Sequence, residues 1–169
     1  SMPGTSLELF EDTSRYNADG VAGSRGEIIY FNYGNPILSQ LPVRQALSMI
    51  IDKENYAAVI NQGASVSARG IYPDFMDFGA SKGEGYAYDP QKAAELLDNA
   101  GITDTDGNGI REYQGKDISL RLVTYNTKGE LPLFCNEISS AAKEIGLDIQ
   151  VEVYGSTTEQ QKTGDFDLM

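Results

Sequence analysis

The sequence predicts an α/β fold: a mixed, partly parallel sheet with flanking helices. Three observations carry that expectation. The last third switches between two-residue and helical periodicity in the order strand, helix, strand, helix, strand. A helix bracketed by a capping aspartate and a terminal glycine precedes it. Further upstream, two apolar-striped segments are divided by a second capping aspartate. Strands alternating with helices pair in parallel through crossovers, which makes the sheet partly parallel.

Residues 1–27 carry Gly4, Gly20, Gly23 and Gly26 among polar side chains and read as an extended arm or loop; residues 28–169 read as one domain. EIIYFNYG (27–34) is rich in β-branched and aromatic residues and predicts a strand. The two prolines of NPILSQLP then impose a turn. In the next segment Pro42 suits a first helical turn, and Val43, Ala46, Leu47, Ile50 and Ile51 form one apolar stripe. Asp52 restarts the chain as N-cap of a second helix, KENYAAVINQ, with Ile51 and Tyr56 placed as a hydrophobic staple and Gly63 as its stop.

Residues 64–88 have no period and many glycines, so they predict a long loop bearing the exposed aromatics Tyr72, Phe75, Phe78, Tyr86 and Tyr88. DPQKAAELLDNAG follows as a helix with Asp89 as N-cap, Pro90 at its first position, a stripe of Ala93, Leu96, Leu97 and Ala100, and Gly101 after its end. DISLRLVTY alternates through Ile118, Leu120 and Leu122; ELPLFCNEISSAAKEIG is helical to Gly146; LDIQVEVY alternates through Ile149, Val151 and Val153. Ser156 and Glu159 have capping-box spacing ahead of a last strand in GDFDLM. Its polar–apolar alternation at the chain end reads as the opening of a strand inside a sheet these residues do not complete, hence as part of something longer.

Net charge is −12, with 25 acidic residues against 13 basic, a field that repels phosphate backbones and argues against nucleic acid as partner. No apolar run approaches the 18 or so residues of a membrane span, and the first residues lack a basic stretch followed by an apolar one. Cys135 is the sole cysteine and there is no histidine, so an internal disulfide, thiol catalysis and a zinc site all lack parts. Cys135 itself falls at an apolar helical position and reads as a buried small hydrophobe.

The stretch DTDGNGIRE (104–112) has calcium-loop spacing: Asp104, Asp106 and Asn108 at the first, third and fifth places, the Ile110 carbonyl at the seventh and Glu112 at the ninth. The twelfth place, where a bidentate glutamate belongs, is Gly115. The stretch therefore reads first as an Asx-rich turn and second as a calcium site. Asp165 with Asp167 reads as a solvated carboxylate pair, and Tyr30, Tyr33 and Tyr125 suit either a ligand groove or a domain edge. No set of residues forms a catalytic constellation, so a non-enzymatic module is expected.

Several of these segments, in order, resemble the large solute-binding proteins of ABC importers, the oligopeptide, dipeptide and nickel-binding family. They are YFNYGNPILSQLPVRQALSMIIDKENY (30–56), YDPQKAAELLDNAGITDTDGNGIRE (88–112), LRLVTYNT, AAKEIGLDIQVEV and GDFDLM. The resemblance covers about residues 28–169. It implies a truncated second lobe of a periplasmic-binding-protein type II fold, closing by a hinge on a peptide or related small solute. It further implies an extracytoplasmic parent, periplasmic or lipid-anchored at the cell surface, docking on ABC permease subunits, with no catalytic residues and no required cofactor. Asn32, Tyr33, Tyr125, Asn126 and Thr127 are then the expected polar contacts at the cleft. The family commonly carries an aromatic after its VEVY-like strand, and GSTTEQQK (155–162) has none, which departs from a peptide pocket of the usual shape. Two other classes fit the same residues: a sensor or interaction module that reuses the lobe without transport, and a calcium-stabilised structural module.

Overall fold

The computed structural model describes residues 6, 9–17, 23–68, 70–73, 75–76 and 85–169. They fall into two compact units, one of residues 1–28 with 52–85 and one of residues 29–51 with 86–169. Among the described residues no helix is long and apolar enough to cross a membrane.

The second unit holds the sheet. Strands β3 (Ser119–Tyr125) and β4 (Asp148–Tyr154) pair in parallel over seven residues, from Ser119 opposite Asp148 to Tyr125 opposite Tyr154. Helix α4 (Glu130–Glu144) connects them and packs on both. Its inward stripe is Cys135, Ile138 and Ala142, matched on the strands by Leu120, Leu122 and Ile149, all buried. Leu168 extends the sheet past β3. It bridges Leu122 in parallel and Phe31 antiparallel, so the order across the sheet is β4, β3, the run at 167–169, the run at 30–32. The mixed, partly parallel sheet read from the sequence is therefore present, and the last run lies inside it with a neighbour on each side.

Helices α1 (Leu41–Met49) and α3 (Pro90–Asn99) pack on one another in the same unit. Val43, Ala46 and Leu47 from one and Ala93 and Leu97 from the other are buried there. The Asp89 carboxylate caps α3 by accepting the Lys92 amide at 2.9 Å, and the Asp89 amide donates to the Met49 carbonyl at 2.9 Å. Gly101 ends α3 in the left-handed region, with the Ile102 amide reaching back to the Leu97 carbonyl.

Arg111 joins the ends of two helices. Its Nε donates to the Ile145 carbonyl at 2.7 Å and one terminal nitrogen donates to the Ile102 carbonyl at 2.6 Å, while the same nitrogen pairs with Asp98. Ile145 is the C-cap of α4 and Ile102 follows the end of α3, where helix dipoles leave negative charge, so a cation is favoured near both. The Arg111 side chain runs across Gly146, whose φ is +79° and where a Cβ would stand 3.0 Å from Arg111 Cγ.

In the first unit, Asp52 accepts the Asn55 amide at 3.0 Å and caps α2 (Lys53–Asn55). The chain then widens into a π-helical turn, Tyr56–Ile60, closed by the Asn61 amide on the Tyr56 carbonyl at 3.2 Å. Earlier in this unit the Phe10 ring meets Tyr16 edge-on at 5.2 Å. In the predicted long loop, Tyr72 and Phe75 are exposed, as are Tyr86 and Tyr88 in the second unit; Phe78 lies outside the described residues.

Three local expectations need correction, and one element was not expected. The strand expected over 27–34 is reduced to pairing at residues 30–32, because Asn32 turns the chain by accepting the Gly34 amide on its side chain at 2.9 Å and the Asn35 amide on its carbonyl. The helix expected over KENYAAVINQ is one α-turn followed by the π-turn, and Gln62 at φ 48° ends it one residue before Gly63. The Ser156–Glu159 capping box does not form: helix α5 (Thr158–Thr163) starts later, and Ser156 Oγ accepts the Thr158 amide two residues on at 3.3 Å. An unanticipated hairpin joins β1 (Glu112–Tyr113) to β2 (Lys116–Asp117) around Gln114 and Gly115, both at positive φ, as a two-residue hairpin turn requires.

Gly101 and Gly146 separate backbone strain from steric contact. Both have left-handed φ, but a Cβ at Gly101 meets nothing within 4 Å. Gly101→Ala is expected to lower unfolding free energy by about 1 kcal/mol through backbone strain alone. Gly146→Ala is expected to lower it by about 1 kcal/mol more, because Arg111 must shift and strain the hydrogen bonds it makes to the Ile145 and Ile102 carbonyls. Urea unfolding of the two variants checks this, and equal losses would contradict it.

Candidate functional site

In a parallel ladder all carboxyl ends lie on one side, and open α/β sheets bind ligands beyond that side. Here that edge is formed by Tyr125 and Tyr154, with the Asn126 amide adding one more rung to the Tyr154 carbonyl at 3.0 Å. Asn126 and Thr127 follow, both exposed, before the chain enters α4. Three of the residues read from the sequence, Tyr125, Asn126 and Thr127, are thus brought together at the carboxyl edge.

Asn32 and Tyr33 lie elsewhere. Asn32 stands opposite Asp167, whose carboxylate accepts the Arg121 amide, so it is level with Arg121. Tyr125 is four residues further along β3, about 13 Å at the usual rise of a strand. The Asn32 amide nitrogen donates to the carbonyls of Phe166 at 2.7 Å and Gly164 at 3.1 Å. Tyr33 is 63% exposed, and the Arg44 guanidinium stacks over its ring at 4.8 Å.

One face of the sheet carries a polar network that the sequence reading passed over. Arg121 forks onto both oxygens of Glu152 at 2.9 Å and holds Asp165 at 2.7 Å. Tyr154 donates its hydroxyl to Glu152 at 2.8 Å, tying this network to the carboxyl edge. The Glu152 carboxyl is pushed down to about 2, first by the hydrogen bonds from Arg121 and then by that from Tyr154. The Tyr154 phenol is raised, chiefly by donating to the Glu152 carboxylate. Asp165 and Asp167, read as a solvated pair, have separate partners: Arg121 for the first, the Arg121 amide and Asn35 for the second. Parallel register was the available signal, since it sets Arg121 and Glu152 on adjacent strands and the same face.

The acidic turn folds as a closed set of Asx bonds. Asp104 accepts the Gly107 amide at 2.7 Å and the Gly109 amide at 2.8 Å, and its carboxyl is held below its usual range, first by Gly109. Asp106 accepts the Asn108 amide at 3.0 Å, and Asn108 accepts the Ile110 amide at 2.7 Å. Glu112 accepts both the amide and the hydroxyl of Thr105. Even so, Asp104, Asp106 and Glu112 each offer an oxygen within 4.8 Å of the others.

Glu152 gains its partners on folding and its carboxyl lies below the ordinary 4.5. Its contribution is full above that pH and is lost as pH falls toward about 2. Urea midpoints of wild type and Glu152→Gln are therefore expected to differ at pH 6 and to converge between pH 4 and 2 (about those values). A constant difference across that window would contradict the assignment.

The chain is 26% identical over 152 residues to the oligopeptide-binding protein AppA of Bacillus subtilis, covering 83% of this chain and 27% of that protein. It is 26% identical over 133 residues to the nickel-binding periplasmic protein of Escherichia coli, covering 78% of this chain and 25% of that one. In fold it is similar to NikA from Brucella suis, solved with Fe(III)-EDTA, with a TM-score of 0.87 and 24% identity over 99% of this chain and 34% of that one. The chain thus spans about a quarter to a third of the length of these relatives. The family model of bacterial extracellular solute-binding proteins, family 5 (middle region), matches residues 1–169. The chain belongs to the bacterial extracellular solute-binding proteins of family 5, a family of solute-binding proteins rather than enzymes.

Proposed function

We propose that residues 28–169 are part of the second lobe of an ABC importer's solute-binding protein, taking a peptide or related small solute outside the cytoplasmic membrane. The observation that carries this reading is the shared carboxyl edge of β3 and β4, where Tyr125, exposed Asn126 and exposed Thr127 stand beside Tyr154. An aromatic ring with adjacent amide and hydroxyl groups suits a small polar solute that must exchange water for protein hydrogen bonds. The second wall of the cleft belongs to the other lobe, and closure on the solute presents the pair to ABC permease subunits. Residence at the cell surface by a lipid anchor, or free in a periplasm, is part of the same proposal, and nucleic acid is no partner.

The test uses two proteins. In the parent protein, Tyr125→Ala and Asn126→Ala are expected to weaken calorimetric binding of its solute by about tenfold or more without moving the melting temperature. The 169-residue chain, offering one wall, is expected to show no saturation by trialanine or by a nickel–histidine complex below about 1 mM. Unchanged affinity in both parent variants, or tight binding by the chain alone, would overturn the reading.

The grouping of Asp104, Asp106 and Glu112 favours a second, compatible reading in which calcium stiffens the 104–112 turn. Asp104, Asp106, the Asn108 side chain, the Ile110 carbonyl and Glu112 would hold the ion. Millimolar calcium is then expected to raise the melting temperature of wild type and not of Asp104→Asn. No shift in wild type would remove this role.

A further inference from the structure

The run at 165–169 joins β3 by few backbone bonds. The Leu168 amide donates to the Arg121 carbonyl at 2.8 Å, and the Val123 amide donates to the Leu168 carbonyl at 2.8 Å. Continuing that parallel pattern back by two residues would give the Arg121 amide to the Phe166 carbonyl. The structure makes a different exchange. The Phe166 carbonyl accepts from Asn32 Nδ2 at 2.7 Å, and the Arg121 amide donates to Asp167 Oδ2 at 2.8 Å. Two side chains replace one rung.

Both side chains are braced for that role. Asn32 Nδ2 also holds the Gly164 carbonyl at 3.1 Å, while Asn32 Oδ1 accepts the Gly34 amide at 2.9 Å. The second Asp167 oxygen accepts Asn35 Nδ2 at 2.8 Å. The Asp167 and Leu168 amides both point to the Arg121 carbonyl, at 3.3 and 2.8 Å, so two residues face one as in a bulge.

We infer that Asn32 and Asp167 form a register lock that seats residues 165–169 between β3 and residues 30–32. A slip of one residue would turn Leu168, now 1% exposed, to the opposite face and carry Asp167 away from the Arg121 amide. Gly164, at φ +71°, ends α5 in a tight turn that aims its carbonyl and that of Phe166 together at Asn32 Nδ2, and a slip of the run would carry the Phe166 carbonyl away from it. Asn32 is accordingly a positioning residue: both amide protons are committed to backbone carbonyls rather than offered to a solute. Only that last clause rests on the solute-binding reading.

Amide hydrogen exchange on the full 169-residue chain tests the lock without any solute, so its failure is distinct from failure of the proposed function. Asn32→Ala and Asp167→Ala are each expected to cut protection at Tyr30, Val123, Leu168 and Met169 by about tenfold, and to change Ile102 and Leu147 by less than about twofold. Asn32→Asp keeps the size but turns acceptors toward acceptors, and is expected to fail to rescue. Asn35→Ala removes one brace and is expected to give a smaller loss at the same four amides; it keeps the idea testable should the stronger variants not fold. Unchanged protection at those four sites, or an equal loss throughout the unit, would overturn the lock.

Discussion

The second unit depends on the seat of one side chain. Leu168 is 1% exposed and bridges Leu122 on one side and Phe31 on the other. Without it, β3 and β4 are a two-stranded parallel ribbon with one covering helix, and parallel pairs are rarely stable unless both faces and neighbours are supplied. With it, residues near the start, the middle and the end of the unit become one sheet. Apolar burial favours placing Leu168 somewhere inside, but burial has no direction and does not choose a register. Direction comes from the polar groups around it, each with a defined partner.

Arg111 does the same for the helices. Its side chain is 12% exposed and its charge would be costly to bury unpaired, yet carbonyls near the ends of α3 and α4 and the Asp98 carboxylate satisfy it. A single cation thereby fixes two helix ends to the stretch that leads into β1. On the sheet, Arg121 plays the corresponding part for Glu152, Asp165 and, through Tyr154, the carboxyl edge. In a chain with net charge −12, two cations thus join elements of this unit, Arg111 with its side chain 12% exposed and Arg121 with its side chain 38% exposed.

What was legible in the sequence follows from range. Asp52 and Asp89 cap helices because the side chain reaches its own amide three residues on, an interaction any local reading finds. Leu120, Leu122 and Ile149 alternate because their strands are covered by α4, and covering leaves a period of two. Tyr125, Asn126 and Thr127 were found as a strand end, and the parallel ladder makes that end an edge shared with Tyr154. What escaped the reading is non-local. Nothing near Asn32 reveals that its amide reaches residues 164 and 166. Asp165 is exposed, as read, yet its cation lies on another strand, as does the amide that Asp167 holds. The short hairpin at 112–117 was missed because two residues per strand leave no period to detect, although Gln-Gly at its turn was a usable sign.

The pairing of Phe31 with Leu168 has one more consequence, for how the protein is made. During synthesis the run at 30–32 leaves the ribosome well before its partner, which follows more than 130 residues later. The segment β3–α4–β4 closes over a short span and can assemble on the way out, whereas the early run must wait without its edge covered. The delay adds little to the thermodynamic penalty, since loop-closure entropy grows only logarithmically with length. Its weight falls on the nascent chain, which carries an unpaired apolar Phe31 until translation has passed Leu168, and holding that edge apart from other growing chains becomes a task for the chaperones that meet it.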